Sequence, residues 1–153
     1  ILKDPHCGAF AVIRLCTYFL AYFCVAFCIR FSPRVGLCWT LALVLERGLS
    51  GLAVAAFPMA KNTGLAHTFA TAADRESVKK ILIVLSVLLA AALIALGGGA
   101  LVAAALLVLW RYHHVAVKEF GGITGDLAGW FLQKAEFWML AALVASQWGG
   151  ILR

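Results

Sequence analysis

The stretch best suited to chemistry is Gly121-Gly122-Ile123-Thr124-Gly125-Asp126, followed by Gly129, Gln133 and Glu136. Glycines ahead of a helix start let the backbone approach an anion, because the first N–H groups of the helix lack partners. Asp126, Gly129, Gln133 and Glu136 recur at i, i+3, i+7 and i+10, so at about 100° per residue they share one broad helix face. On a membrane helix such a face points inward, and its carboxylates are functional candidates. The plainer reading is a hydrogen-bonding stripe that only holds helices together. The glycine spacing fits neither a Walker loop nor the strand-to-helix turn of a dinucleotide fold.

Two further clusters carry charge at element ends. Lys3-Asp4-Pro5-His6-Cys7-Gly8 stands at the mouth of the first apolar run, where Asp4 can cap helix N–H groups. Pro58, Ala60, Lys61, Gly64 and Leu65 follow the second run. Lys61 beside a glycine can hold a phosphate, although an interfacial anchor is the plainer role. Glu46-Arg47 lies inside the second run, where a charged pair is expected to face the bundle interior. The Arg47 fork suits a phosphate or carboxylate. His113 and His114 are adjacent, so they cannot share a helix face as metal ligands, and His67 reads as a loop histidine. Carboxylates with retained waters are how proteins hold Mg²⁺ beside substrate phosphates. Lys and Arg then offset the charge of phosphoryl transfer.

The elements that must position these residues are membrane helices. The chain has 153 residues, 64% hydrophobic and 13% charged, with a mean hydropathy of +0.97. Soluble domains run at about 45–50% apolar and 25% charged, and a globule this small cannot hide such a surplus. The composition argues against disorder, a coiled coil, a disulfide scaffold or a nucleic-acid-binding module. It points to an all-α, polytopic membrane helix bundle with about five spans, at 9–29, 35–60, 81–96, 100–116 and 126–148. Pro33 breaks the first run from the second. Residues 81–110 as one helix would extend about 45 Å against a hydrocarbon core of about 30 Å. Gly97-Gly98-Gly99 is therefore read as a turn.

Five spans place the N-terminal stretch and the 61–80 and 111–125 loops on one side, with Lys3, Lys61, Arg75, Lys79, Lys80, Arg111 and Lys118. The net charge of +6 thus reads as juxtamembrane charge, and that side as cytoplasmic. Arg30 and Arg34 are expected to snorkel at the opposite interface. The five cysteines show no Cys-x-x-Cys spacing and read as small hydrophobes.

The same residues resemble cobalamin synthase, the adenosylcobinamide-GDP ribazoletransferase family. The opening Leu2-Lys3-Asp4 through Gly8 and Phe10 resembles the family's Lys-Asp segment. Arg47 with Ser50 and Gly51, then Pro58, Ala60, Lys61, Gly64 and Leu65, resembles its central stretch. Phe120 through Asp126 with Glu136 resembles its C-terminal signature. Pro5, Ala11 and Lys61 depart from the residues usual there, and none of the three changes removes a carboxylate. The resemblance implies a multi-pass protein of the cell (plasma) membrane that joins adenosylcobinamide-GDP to α-ribazole, or to its 5′-phosphate, with Mg²⁺ and release of GMP. It implies metal and catalytic roles for Asp4 and Asp126. Substrate or phosphate contacts fall to Lys3, Arg47, Lys61, Gly64, Gly121, Gly122, Thr124, Gly125 and Glu136. It further implies an Asp-rich metal motif on an earlier helix, so the chain reads as the C-terminal part of a larger bundle, inactive by itself. A homo-oligomer is left open. The competing readings are a CDP-alcohol phosphotransferase of lipid synthesis and a non-catalytic transport or scaffold subunit.

Overall fold

The computed structural model describes residues 8–60 and 75–152. Within them the chain forms five long helices: α1 (Ala9–Phe27), α2 (Pro33–Ala56), α3 (Arg75–Ala95), α4 (Gly99–Phe120) and α5 (Gly125–Trp148). The all-α expectation holds, and among the described residues extended pairing is limited to one isolated bridge between Met59 and Ile123. Four helices, α1 to α4, are long and apolar enough to cross a membrane. The fifth expected span forms as α5, 24 residues long, but is not among those four, because Asp126, Gln133, Lys134 and Glu136 dilute its apolar content.

Local chemistry sets the helix ends. Ser32 is extended and its hydroxyl accepts from the Val35 N–H, with Pro33 opening α2; proline's missing N–H is harmless at that position. The helix thus begins two residues before the expected 35 and ends at Ala56 rather than 60. Gly97 turns the chain at φ 87°, and the Gly98 N–H donates to the Leu93 carbonyl at 2.7 Å. The apolar run from Ile81 is therefore two helices. Helix α3 starts at Arg75, ahead of the expected 81, and α4 continues to Phe120, beyond the expected 116. Helix α1 stops at Phe27, before the expected 29, and the capping residue ahead of Ala9 is Gly8, which supplies no side-chain cap. Asp4 lies outside the described residues.

Helices α2, α3, α4 and α5 pack in a ring, each against its neighbours, and α1 lies along α5. The interior is built on small residues. Ala42, Ala53, Ala105, Ala116 and Ala135 are all buried, interleaved with Leu49, Leu93, Leu101, Phe131, Met139 and Leu143. Alanine lets helix backbones approach closely, which is how apolar helices gain packing energy where lipid offers no hydrophobic drive. Helix α1 buries none of its residues.

The two ends of the bundle differ. At the foot, the Arg34 Nε donates to the Leu96 carbonyl at 3.0 Å. There the Gln147 amide donates to the Arg30 carbonyl at 2.6 Å and its oxygen accepts from the Arg30 N–H at 3.2 Å. Arg34 thus ties a helix end rather than snorkelling freely. At the head lie the C-terminal end of α2, the start of α3, and the α4–α5 connection. Of the described cysteines, all without a disulfide, Cys38 is buried in the core, whereas Cys16 and Cys24 on α1 and Cys28 just past its end are exposed.

Candidate functional site

Two of the three charged motifs meet at the head through their backbones. The Ile123 N–H donates to the Pro58 carbonyl at 2.8 Å, and the Ala60 N–H donates to the Ile123 carbonyl at 3.0 Å. Local geometry makes this possible. Gly121 closes α4 in the left-handed region at φ 70°, and the Gly122 N–H reaches back to the Ala116 carbonyl at 2.9 Å, so a glycine in the left-handed region ends the helix and satisfies one of its end carbonyls. Gly122 then passes so close to the other strand that a Cβ would stand 2.5–2.6 Å from Ala60 N, Met59 C and the Pro58 carbonyl oxygen. Gly121 and Gly122 thus serve chain reversal and chain-to-chain contact, where an approach to an anion was expected.

Arg75 fastens the same corner. Its guanidinium donates to the Ala55 carbonyl at 2.7 Å through Nε and to the Phe57 carbonyl at 3.3 Å through a terminal nitrogen. These are end carbonyls of α2, which have no partner within the helix. The sequence signalled Arg75 only as loop charge, since its partners are backbone atoms far along the chain.

Past the bridge, the Thr124 hydroxyl accepts from the Leu127 N–H at 3.3 Å and caps α5. Thr124 was expected to meet substrate, and in the structure its side chain is occupied with the helix. Gly125, Asp126 and Gly129 are exposed, and a Cβ added at either glycine would meet nothing within 4 Å. The opening of α5 thus offers a carboxylate, open space over two glycines and the positive end of a helix dipole. That combination suits a phosphate group and a cation held side by side.

A second polar layer lies deeper. Glu136 stands about 15 Å along α5 from Asp126, at 1.5 Å per residue. It accepts from the Tyr22 hydroxyl at 2.8 Å, and the Tyr18 hydroxyl donates to the Gln133 carbonyl at 3.1 Å. Both bonds dock α1 on α5. Glu46 of α2 interacts electrostatically with Glu136. It is fully buried, and neither carboxylate oxygen has a hydrogen bond. Among the described residues its one cation is Arg47, whose Nε stands 3.4 Å from Oε1 while the Arg47 side chain is 61% exposed. The expectation that the pair faces inward is therefore corrected: adjacent helix residues point about 100° apart, so Glu46 enters the bundle and Arg47 leaves it. The expected inward stripe is corrected likewise. Glu136 faces α1 and α2, whereas Asp126, Gly129 and Gln133 are exposed.

The structure thus joins the Pro58–Ala60 stretch to the Gly121–Asp126 loop and sets Arg47 and Glu136 in a separate layer. Lys3, Asp4, Lys61 and Gly64 lie outside the described residues. His113 packs edge-on against Phe57, with ring centres 4.5 Å apart, and His114 stacks on Trp110 at 6.0 Å. Tyr18 and Tyr22 were missed by sequence reasoning. Their i, i+4 spacing on α1 was the available signal, but it is also ordinary for an apolar helix.

Comparison with known proteins accords with these motifs. The sequence pattern of the family described as Cobalamin-5-phosphate synthase matches residues 1–144. The adenosylcobinamide-GDP ribazoletransferase of Lachnoclostridium phytofermentans is 39% identical over 150 residues, covering 96% of this chain and 57% of that protein. The chain therefore spans little more than half the length of this relative. No solved structure matches it.

Proposed function

The chain belongs to the Cobalamin-5-phosphate synthase family, and on that premise we propose that it joins adenosylcobinamide-GDP to α-ribazole or α-ribazole 5′-phosphate. A ribose hydroxyl of the ribazole attacks the phosphorus that carries the cobinamide. The bond from that phosphorus to the GMP oxygen breaks, GMP leaves, and adenosylcobalamin or its 5′-phosphate forms. Family membership supports this reading over the lipid-phosphotransferase and transporter readings.

The observation that carries the proposal is the backbone pairing of Pro58–Ala60 with Ile123. It puts the start of α5, with exposed Asp126, beside the segment that leads into Lys61. In the reaction Asp126 orients the attacking hydroxyl and takes its proton, or serves as a metal ligand. The open face at Gly125 and Gly129 admits a phosphate close to the helix N terminus, and Lys61 offsets its charge. Glu136 stands about 15 Å and Arg47 about 12 Å deeper, so a diphosphate centred at Asp126 does not reach them; they are proposed to face a more distant part of the substrate.

Mg²⁺ belongs to this proposal too. Among the described residues no group of three or more His, Cys, Asp or Glu side chains could hold a metal ion. Mg²⁺ is usually held by one or two carboxylates plus waters and phosphates. Asp126 fits as one such carboxylate, and the resemblance supplies Asp4 as a second. When bound, the ion would offset charge on the diphosphate. The head, which also carries Arg75, Lys79, Lys80 and Lys118, is proposed to face the cytoplasm.

The test is GMP release from adenosylcobinamide-GDP by membranes of cells expressing the natural gene product, with and without α-ribazole. Ribazole-dependent release is expected, and Asp126→Asn should lower it about 100-fold or more, the usual scale for a positioned proton acceptor. Ordinary turnover and Mg²⁺ dependence in that variant would overturn the role given to Asp126.

A further inference from the structure

On the flank of the bundle away from Glu136, α4 and α5 enclose a groove of about 500 Å³, lined among others by Leu107, Val108, Arg111, Trp130, Lys134 and Trp138. We propose that this groove binds one anionic phospholipid, its phosphate between Arg111 and Lys134 and its acyl chains along Leu107, Val108 and Trp138.

Charge is the first argument. Arg111 and Lys134 line the groove together, and neither makes an ion pair or hydrogen bond with another described residue. The groove contains no carboxylate to receive a choline or ethanolamine group. Two cations brought together without an acid repel each other, and a phosphate relieves that repulsion. The Arg111 fork can hold two phosphate oxygens while Lys134 acts as a point charge.

Height is the second argument. Arg111 stands about 18 Å along α4 from Gly99 and Lys134 about 21 Å along α5 from Trp148. Arg14, Arg47 and Lys80 fall at corresponding heights on α1, α2 and α3, about 20–22 Å from the foot ends of those helices. One cation per helix at one level forms a belt below the boundary where hydrocarbon gives way to headgroups, from which the long side chains extend headward to the phosphate layer.

The third argument is the shape of the wall. Leu107 is 66% and Trp138 53% exposed, so the groove opens outward, toward the bilayer. Tryptophan is favoured at that boundary, where its ring meets both chain and headgroup. The apolar wall continues footward from the cations, the direction in which the acyl chains of that leaflet run.

The test uses tryptophan fluorescence of the whole protein in vesicles of phosphatidylcholine doped with brominated phosphatidylglycerol or, separately, brominated phosphatidylcholine. Half-maximal quenching should come at about a tenfold lower mole fraction of the brominated phosphatidylglycerol, the scale expected when two cations meet a net anionic headgroup rather than one neutralised by choline. That preference should vanish in Arg111→Gln/Lys134→Gln and persist in Lys79→Gln/Lys80→Gln. Equal quenching of the unaltered protein by the two lipids overturns the proposal without recourse to a variant. Preference retained in the double variant overturns it as well. So does displacement of the brominated phosphatidylglycerol by inorganic phosphate or GMP, which would assign the cations to a soluble phosphate. None of these readouts depends on turnover, so the lipid site and the proposed reaction stand or fall separately.

Discussion

Ile123 and Met59 lie side by side in parallel register, the one place among the described residues where extended backbone from two connections pairs. The pair locks the exit of α2 to the entry of α5. It determines which polar groups share the head of the bundle, and through Gly122 it tolerates no side chain at the crossing.

Gly122→Ala should be the most damaging single-methyl change in the loop. It forces a Cβ into backbone atoms at 2.5–2.6 Å at φ 152°. A loss of about 3 kcal/mol or more is expected, read as a fall in the unfolding temperature in detergent. Gly121→Ala, strained by φ 70° but without a clash, should lose only about 1 kcal/mol.

Gly129→Ala should separate stability from function. Its Cβ would meet nothing within 4 Å, and alanine favours helix over glycine by about 0.5–1 kcal/mol. The variant should therefore unfold at a higher temperature. If this face receives substrate as proposed, GMP release should fall in the same variant; undiminished release would remove Gly129 from the site.

Arg75→Gln should free the Ala55 and Phe57 carbonyls and destabilise the protein by about 1–3 kcal/mol. Hydrogen exchange at the last turn of α2 should rise, while the foot of the bundle, held by Arg34 and Gln147, stays protected. Uniform loss of protection would show that the clamp is not local.

Tyr22→Phe and Glu136→Gln should couple. The 2.8 Å bond to a carboxylate oxygen is worth about 1.5–3 kcal/mol where the acceptor is charged, so a double-mutant cycle should return a clearly nonzero interaction energy. Additive losses would mean that α1 is held on α5 by packing alone.

Glu46→Gln should raise stability by about 1–3 kcal/mol. A fully buried carboxylate without a hydrogen bond carries a desolvation cost that a neutral isostere avoids, and its contact with the mostly exposed Arg47 offsets little. A marked fall in the unfolding temperature would instead assign that carboxylate a stabilising partner.

By itself the sequence determined that this is a helical membrane protein, because period and apolar excess act within single segments. Pro33 and the Gly97–Gly99 turn likewise work over a few residues, so the helix count and the division of residues 81–116 could be read directly. Asp126 stood out for the same reason, as a carboxylate next to a glycine-rich helix start. The tertiary structure alone decided that Gly122 is needed for its closeness to Met59, that Arg75 caps a helix it does not belong to, and that Glu46 turns inward while Arg47 turns out. Each of these depends on distances between segments far apart in the chain, and in a bundle those distances follow from how small residues let helices approach. No spacing within one segment encodes them.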